Sequence, residues 1–432
     1  VPVTYADFLA AKQRRAPQVG VHATREDLHP ALYDWQAHST LWALRTGRCA
    51  LFWDCGLGKT FAQVEWARLS AERALIVAPL SVARQSVREA RKLDVDLRYV
   101  RDGAQVDGPG VWITNYEMAG RFDPAAFGAV VLDESSILKN VDGKTRTALI
   151  ERFRAVPRRL ACTATPAPND VAELTNHAEF LGVMSRAEML AAYFVHDEKD
   201  WRLKGHAAEP MHRWMASWAQ ALRQPSDLGY PDDGWALPPL HIAAQVVAAD
   251  VHAPDQLFAT DLGGVGGRHH VRRQTLAARV ARAAALADDG EQWIVWCGLN
   301  DEADACAAVI DGAVNVPGAW SPDAKAQALE AFQDGEIRVL VTKASIAGFG
   351  MNFQNASRMA FVGLGDSYEA YYQAIRRCWR YGQTRPVHAH IVVSELEQQI
   401  VANVQRKERE ARRMTDGLIR HMTAAAPQEV AA

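Results

Sequence analysis

Long apolar runs are missing from this chain. None approaches the ~20 consecutive apolar residues of a membrane-spanning helix, so no membrane partner is expected. Cysteine is sparse: Cys49, Cys55, Cys162, Cys297, Cys306 and Cys378 are scattered without a CxxC pair. That pattern excludes a disulfide scaffold, gives no zinc spacing, and fits a reduced cytosolic chain. No charge excess exists either, since 48 basic against 51 acidic residues leave −3. A polyanion would therefore need a local basic stripe. The opening VPVTYADFLAAKQRR lacks the continuous apolar core and small-residue cleavage site of a secretory signal. What is present is ordinary globular material, 49% apolar and 23% charged over 432 residues. At roughly 150 residues per domain this is about two to three domains.

Two stretches alternate short apolar runs with helical spacing, the pattern of a mostly parallel α/β sheet. In the first, CALFW, ALIVAP, VWITN, AVVLDE and RLACTAT read as strands, with helices such as TFAQVEWARLSAE and SVARQSVREARKL between them. In the second, the strands are QWIVWC, AVNV, IRVLVT, RMAFVG and HAHIVVS, and the charged helix LEQQIVANVQRKEREARRM closes the fold. Between the two, strand patterning fades and Trp201, Trp214, Trp218 and Trp235 appear. RQPSDLGYPDDGWALPPL and GGVGG are turn-rich joints. The expected organisation is an N-terminal extension over 1–27, a first lobe over 28–182, a mostly helical insertion and linker over 183–267, and a second lobe over 268–420.

The sharpest chemical signal is LFWDCGLGKTFAQ, a strand, a glycine-bearing loop, Lys59-Thr60 and then a helix. Gly56 and Gly58 let backbone N–H groups face phosphate oxygens without side chains in the way. The helix adds its positive N-terminal end. Lys59 can reach the β- and γ-phosphates, and the Thr60 hydroxyl can bind Mg²⁺. The strict GxxxxGK[ST] pattern is broken at its first position, where Trp53 stands.

AVVLDESSILKN ends a buried strand in Asp133-Glu134. Adjacent carboxylates at a strand's carboxyl end suit a metal role for Asp133 and a water-orienting role for Glu134. A solvated turn is the ordinary alternative for such a pair. Standing after a phosphate loop in the same sheet gives it functional weight.

These residues resemble the superfamily-two helicases, most closely the Swi/Snf-type ATP-dependent DNA translocases. LYDWQ is similar to that family's adenine-reading motif, with Gln36 as the base contact, and DCGLGKT to its first ATPase motif. LDESSILKN resembles the second motif, although Ser135-Ser136 replace the usual Ala-His. CTATPAPND resembles the third, with Thr163, Thr165, Pro166 and Asn169 in place. VTKASIAGFGMNFQ resembles the fifth, and YQAIRRCWRYGQTRPV the sixth, with Gln373, Arg377, Arg380, Gly382 and Gln383 at matching positions. The resemblance implies an α/β fold of two RecA-like P-loop lobes with ATP and Mg²⁺ between them. It places Gly350 and Gln373 among the nucleotide contacts and gives Arg377 and Arg380 to hydrolysis. The first lobe offers no arginine that obviously neutralises a transferring phosphate, and an arginine finger contributes about 10³–10⁵ in related enzymes.

The same resemblance implies a nucleic-acid track, with Ser81, Asn115, Thr342 and Lys343 as candidates at strand ends. Phosphate contacts of this kind do not read sequence. Serines and threonines there also serve as plain helix caps. Trp214 and Trp218, four apart, are expected to pack on one helix face rather than stack on bases. RHHVRR and QRKEREARR are basic runs, ordinarily solvated, and the second also carries Glu408 and Glu410. His269-His270 have no carboxylate or cysteine at metal spacing. The expected activity is an ATP-dependent DNA translocase or helicase, a nucleic-acid-stimulated ATP hydrolase acting on duplex more readily than on single strands. Replication or recombination proteins are its expected partners, and the bacterial or phage-infected cytoplasm its location. A nucleotide-gated clamp with little hydrolysis and an RNA-directed motor are the alternatives.

Overall fold

The computed structural model describes residues 16–139, 143–197, 201–248, 271–347 and 352–425. Gly350, His269-His270 and the GGVGG joint lie outside the described residues. The chain divides into two compact units, 1–232 with 409–432 and 233–408.

The first unit is built on a sheet of β1 (Arg48–Trp53), β2 (Arg73–Ala78), β3 (Arg98–Tyr99), β4 (Gly110–Asn115), β5 (Ala129–Asp133), β6 (Arg158–Cys162) and β9 (Ala219–Leu222). A small antiparallel pair, β7 (Phe194–His196) and β8 (Trp201–Leu203), stands apart from it. The helices are α1 (Asp34–Thr46), α2 (Lys59–Ser70), α3 (Leu80–Ala90), α4 (Lys144–Phe153), α5 (Leu174–Leu181), α6 (Arg186–Tyr193) and α7 (Ala208–Met215). Strand order is β3-β4-β2-β5-β6-β1-β9, parallel throughout. Parallel strands covered on both faces read as continuous apolar runs, and β5, AVVLD, is buried along its whole length.

The second unit carries β10 (Leu240–Val247), β11 (Trp293–Cys297), β12 (Ala313–Asn315), β13 (Val339–Thr342), β14 (Arg358–Val362) and β15 (Val387–Ser394). They form a second parallel sheet in the order β10-β15-β14-β11-β13-β12. Its helices are α8 (Leu276–Leu286), α9 (Asn300–Val309), α10 (Pro322–Gln333), α11 (Ala344–Ala347) and α12 (Tyr368–Cys378). The last helix, α13 (Gln398–Ala425), falls with the second unit up to Glu408 and with the first from Arg409. Trp293, Val295, Val339, Val341, Ala360 and Val362 form the heart of a core that α8 and α9 cover.

The expected pair of parallel-sheet lobes is thus present, and all ten apolar runs form strands. The segment between them differs from a mostly helical insertion. It contributes β9 to the first sheet, β10 to the second, and the β7–β8 pair. Ala219–Leu222 is a four-residue run whose pairing with β1 joins residues far apart in sequence. β10 is an edge strand, half exposed along its length, so its apolar pattern is diluted. Trp214 and Trp218 are buried with ring centroids 5.3 Å apart. Trp218 lies beyond the end of α7, in the turn that leads into β9. No helix among the described residues is long and apolar enough to cross a membrane.

Candidate functional site

β1 delivers the chain to a loop that only glycine can follow. Gly56 and Gly58 sit at φ 89° and 75°, in the left-handed region. A Cβ on Gly58 would also lie 2.4 Å from Gln36 Nε2. Gly58 is the N-cap of α2, so the N–H groups at the start of that helix open onto the loop, with Phe61 N donating to Gly58 O at 2.9 Å. Trp53 explains why the first glycine of the strict pattern is dispensable. Its ring is fully buried and meets the Trp35 ring at 5.3 Å, leaving only its carbonyl to the loop.

Lys59 Nζ donates to that carbonyl at 2.8 Å and to the Asp54 carbonyl at 3.1 Å. The ammonium is therefore held over the loop by two weak neutral acceptors, which a phosphate would outcompete. Thr60 follows, half-buried, in the first turn of α2. Gln36 is buried, with Oε1 accepting from Tyr33 N at 3.0 Å and Nε2 donating to Leu57 O at 2.9 Å. It ties α1 to the loop through both ends of its amide.

One turn further along α2, Gln63 Nε2 donates to Asp133 Oδ1 at 2.8 Å. The same oxygen accepts from Glu134 N at 3.0 Å, and Tyr116 donates its hydroxyl to the Asp133 carbonyl at 2.6 Å. Burial pushes the Asp133 carboxyl above its usual range, while the Gln63 amide, the Lys59 charge and the Glu134 N–H act the other way. Lys59 and Asp133, both predicted as site residues, are thus in electrostatic contact. A divalent ion carried on phosphates needs only one or two protein oxygens, and Thr60 with Asp133 matches that donor chemistry. Glu134 takes φ 53°, an unusual value for a residue with a side chain. Such strain costs on the order of 1–3 kcal/mol and is held in place by its surroundings.

One of those surroundings escaped sequence reasoning. His177 on α5 is fully buried and sits with Nε2 3.1 Å from Ser135 Oγ, 42 residues away in sequence. Its ring meets Phe52 of β1 edge-on at 5.3 Å. Burial lowers its pKa to about 4, so the ring is neutral. Asn176 Nδ2 donates to Leu138 O at 2.8 Å, so α5 braces the segment after Glu134 at two points. Thr163 is buried at the end of β6, where its hydroxyl accepts from Thr165 N at 3.1 Å; Asn169 Nδ2 donates to Glu173 at 2.9 Å.

In the second unit, Ser367 caps α12, its hydroxyl accepting from Ala370 N at 3.2 Å. Gln373 is buried on this helix, and Arg377 and Arg380 are half-buried at its end and in the turn beyond. Between them in sequence, Trp379 Nε1 donates to Pro238 O at 2.7 Å. Arg376 is buried with its guanidinium 4.9 Å from the Trp379 ring and 5.7 Å from the Tyr381 ring. Gln383 donates to the carbonyls of Gln354 at 3.0 Å and Ala356 at 3.1 Å, and accepts from Arg385 N at 3.0 Å. It is an internal tie that fixes the turn begun by Gly382, at φ 92°.

The four nucleic-acid candidates separate. Ser81 is exposed at the start of α3, and Lys343 is half-buried after β13. Asn115 is buried and accepts from Tyr99 Oη at 2.6 Å, and the Thr342 hydroxyl is buried and donates to Val316 O at 3.1 Å. As placed, the side chains of Asn115 and Thr342 are used internally.

Residues 278–382 match the family described as the helicase conserved C-terminal domain. This stretch runs from α8 to Gly382 and includes α12 with Arg377 and Arg380. Among solved structures the chain is similar to the Sulfolobus solfataricus SWI2/SNF2 ATPase core in complex with dsDNA, at 18% identity. The likeness covers 95% of this chain and 98% of that one, with a TM-score of 0.45. No curated protein matches the chain.

Proposed function

We propose that this protein is an ATP-dependent motor on DNA, a nucleic-acid-stimulated ATP hydrolase of the helicase and translocase class. The observation that carries the nucleotide assignment is the loop of Gly56 and Gly58 at the start of α2, with the Lys59 ammonium poised over it and Asp133 fixed beside it through Gln63. Backbone N–H groups and Lys59 hold the phosphates, and Gln36 lies beside the loop for the base. Thr60 and Asp133 hold Mg²⁺, which when bound neutralises phosphate charge. Glu134 orients the attacking water and accepts its proton. Arg377 and Arg380 of the second unit stabilise charge on the transferring phosphate, and Gln373 and Gly350 complete the nucleotide contacts. The nucleic-acid assignment is supported by the helicase match over residues 278–382 and by the order of the motifs. Ser81 and Lys343 contact the phosphate backbone through their side chains. Asn115 and Thr342 act through their main chain at strand ends. Work alongside replication or recombination proteins in the cytoplasm of bacterial or phage-infected cells belongs to the same proposal.

The test is phosphate release by wild type and by Glu134→Gln, each without nucleic acid and with duplex DNA, single-stranded DNA or RNA. Severalfold stimulation by duplex DNA in wild type, lost in Glu134→Gln, is the expected result. Stimulation by RNA alone would redirect the reading to an RNA motor. Negligible hydrolysis under every condition would leave a nucleotide-gated clamp.

A further inference from the structure

From Arg409 onward, α13 has two faces of opposite character. Met414, Leu418 and Met422 are buried along one side. Met422 Sδ accepts from Ala221 N of β9 at 3.1 Å, and Gly417 packs so closely on His212 that a Cβ there would lie 2.3 Å from its ring. His421 Nε2 meets Glu209 at 2.9 Å. This side of the helix is committed to α7 and β9 of the first unit.

The other side carries Arg409, Arg412, Arg413 and Arg420, all exposed. At 3.6 residues per turn these four fall within an arc of roughly 100°, opposite Leu418. Asp416 lies in the same arc but is neutralised by Arg223, whose Nη1 stands 2.7 Å from its carboxylate. Glu410 is half-buried and points to a flank. The outward face is therefore a ridge of like charge on a chain whose formal balance is −3. Four arginines on one rigid helix repel one another, and an anionic partner relieves that cost.

We propose that this ridge binds the phosphate backbone of DNA, as a surface additional to any contact made by Ser81 or Lys343. The proposal rests on the motor reading given above. Three features select this partner. Guanidinium groups match phosphate geometry and make paired hydrogen bonds to it. From Arg409 to Arg420 the ridge runs about 16 Å at 1.5 Å per residue, enough to follow about five phosphates of one strand at 3.4 Å each. The apolar face that a membrane-surface helix would insert is already buried against the first unit. Contacts of this kind add affinity without reading sequence, which suits a motor that must move along any duplex.

The test is the affinity of the full-length protein for a random-sequence duplex at several salt concentrations, compared with Arg409→Gln/Arg412→Gln/Arg413→Gln. Each lost phosphate contact should lower the slope of log K against log salt by about 0.9. The expected result is a slope reduced by about 2–3 and at least tenfold weaker binding at low salt, with the same melting temperature and the same ATPase rate without DNA. The corresponding Arg→Lys triple variant should keep most of the slope. Unchanged affinity and slope in the glutamine variant, with wild type binding normally, would overturn the ridge and leave the motor reading intact. A wild type that binds no nucleic acid would overturn both. Loss of binding to phosphatidylserine vesicles or to an acidic peptide, with DNA binding intact, would assign the ridge to another partner and overturn the proposal.

Discussion

In the first unit, Lys59, Gln63, Asp133 and Glu134 are fixed by hydrogen bonds to strand ends and to one another. In the second, the end of α12 with Arg377 and the turn with Arg380 are framed by rings and by an internal amide, with Arg376 against Trp379 and Tyr381 and Gln383 bonded to Gln354, Ala356 and Arg385 among others. The first arrangement is a preformed cradle in which each polar group already has a direction. The second fixes a framework around Arg377 and Arg380, both half-buried. Substitution of Lys59 in the cradle should therefore disturb binding and chemistry together. Substitutions of Arg377 and Arg380 should disturb chemistry while the nucleotide still binds.

That contrast can be broken at several points. Glu134→Gln keeps the size of the side chain and removes the proposed base, so turnover should fall by about 10²–10⁴ while ATP still binds. Single-turnover phosphate release together with equilibrium nucleotide binding measures both. Lys59→Ala should lose about 10²–10³ in turnover and weaken nucleotide binding as well, because the proposal gives both tasks to the same ammonium. If binding stayed at wild-type strength, the cradle would not be where the phosphates sit. Gly58→Ala forces a side chain into a left-handed φ and onto Gln36. It should cost about 1–3 kcal/mol of stability by urea unfolding and raise KM for ATP.

The last effect, confined to stability, concerns acid. His177 has its pKa lowered by burial to about 4, below the ordinary 6.5. Its contribution to stability is complete above pH 6.5 and is lost as pH falls toward 4, because the unfolded chain takes up the proton first. The full loss is on the order of 3 kcal/mol, at 1.36 kcal/mol per pKa unit. His177→Gln removes this titration, so the difference between the two pH–stability curves isolates it from Asp133, whose raised pKa works in the opposite direction. Parallel curves would remove His177 from the set of groups that respond to pH.

Much of both sheets was legible because their strands are short apolar runs closed by turns, and because the phosphate loop packs its chemistry into consecutive residues. What stayed hidden depends on long-range pairing. Nothing near Ala219–Leu222 announces that it will complete a sheet begun at Arg48. The half-exposed alternation of Leu240–Val247 makes sense only beside Val387–Ser394. The same reason hides His177, whose meaning comes from Ser135 and Phe52. Gln63 could have been found, since it lies one turn beyond Lys59 on the same face of the same helix. Trp53 looked like a defect in the loop pattern because a sequence does not show which way a strand's last side chain turns.

The most direct measurement compares nucleotide affinity and turnover in Arg380→Ala. ATP binding within a few-fold of wild type, with hydrolysis down by about 10³ or more, is the expected outcome for an arginine that acts on the transferring phosphate. Hydrolysis at the wild-type rate would contradict any part for the second unit in the chemistry.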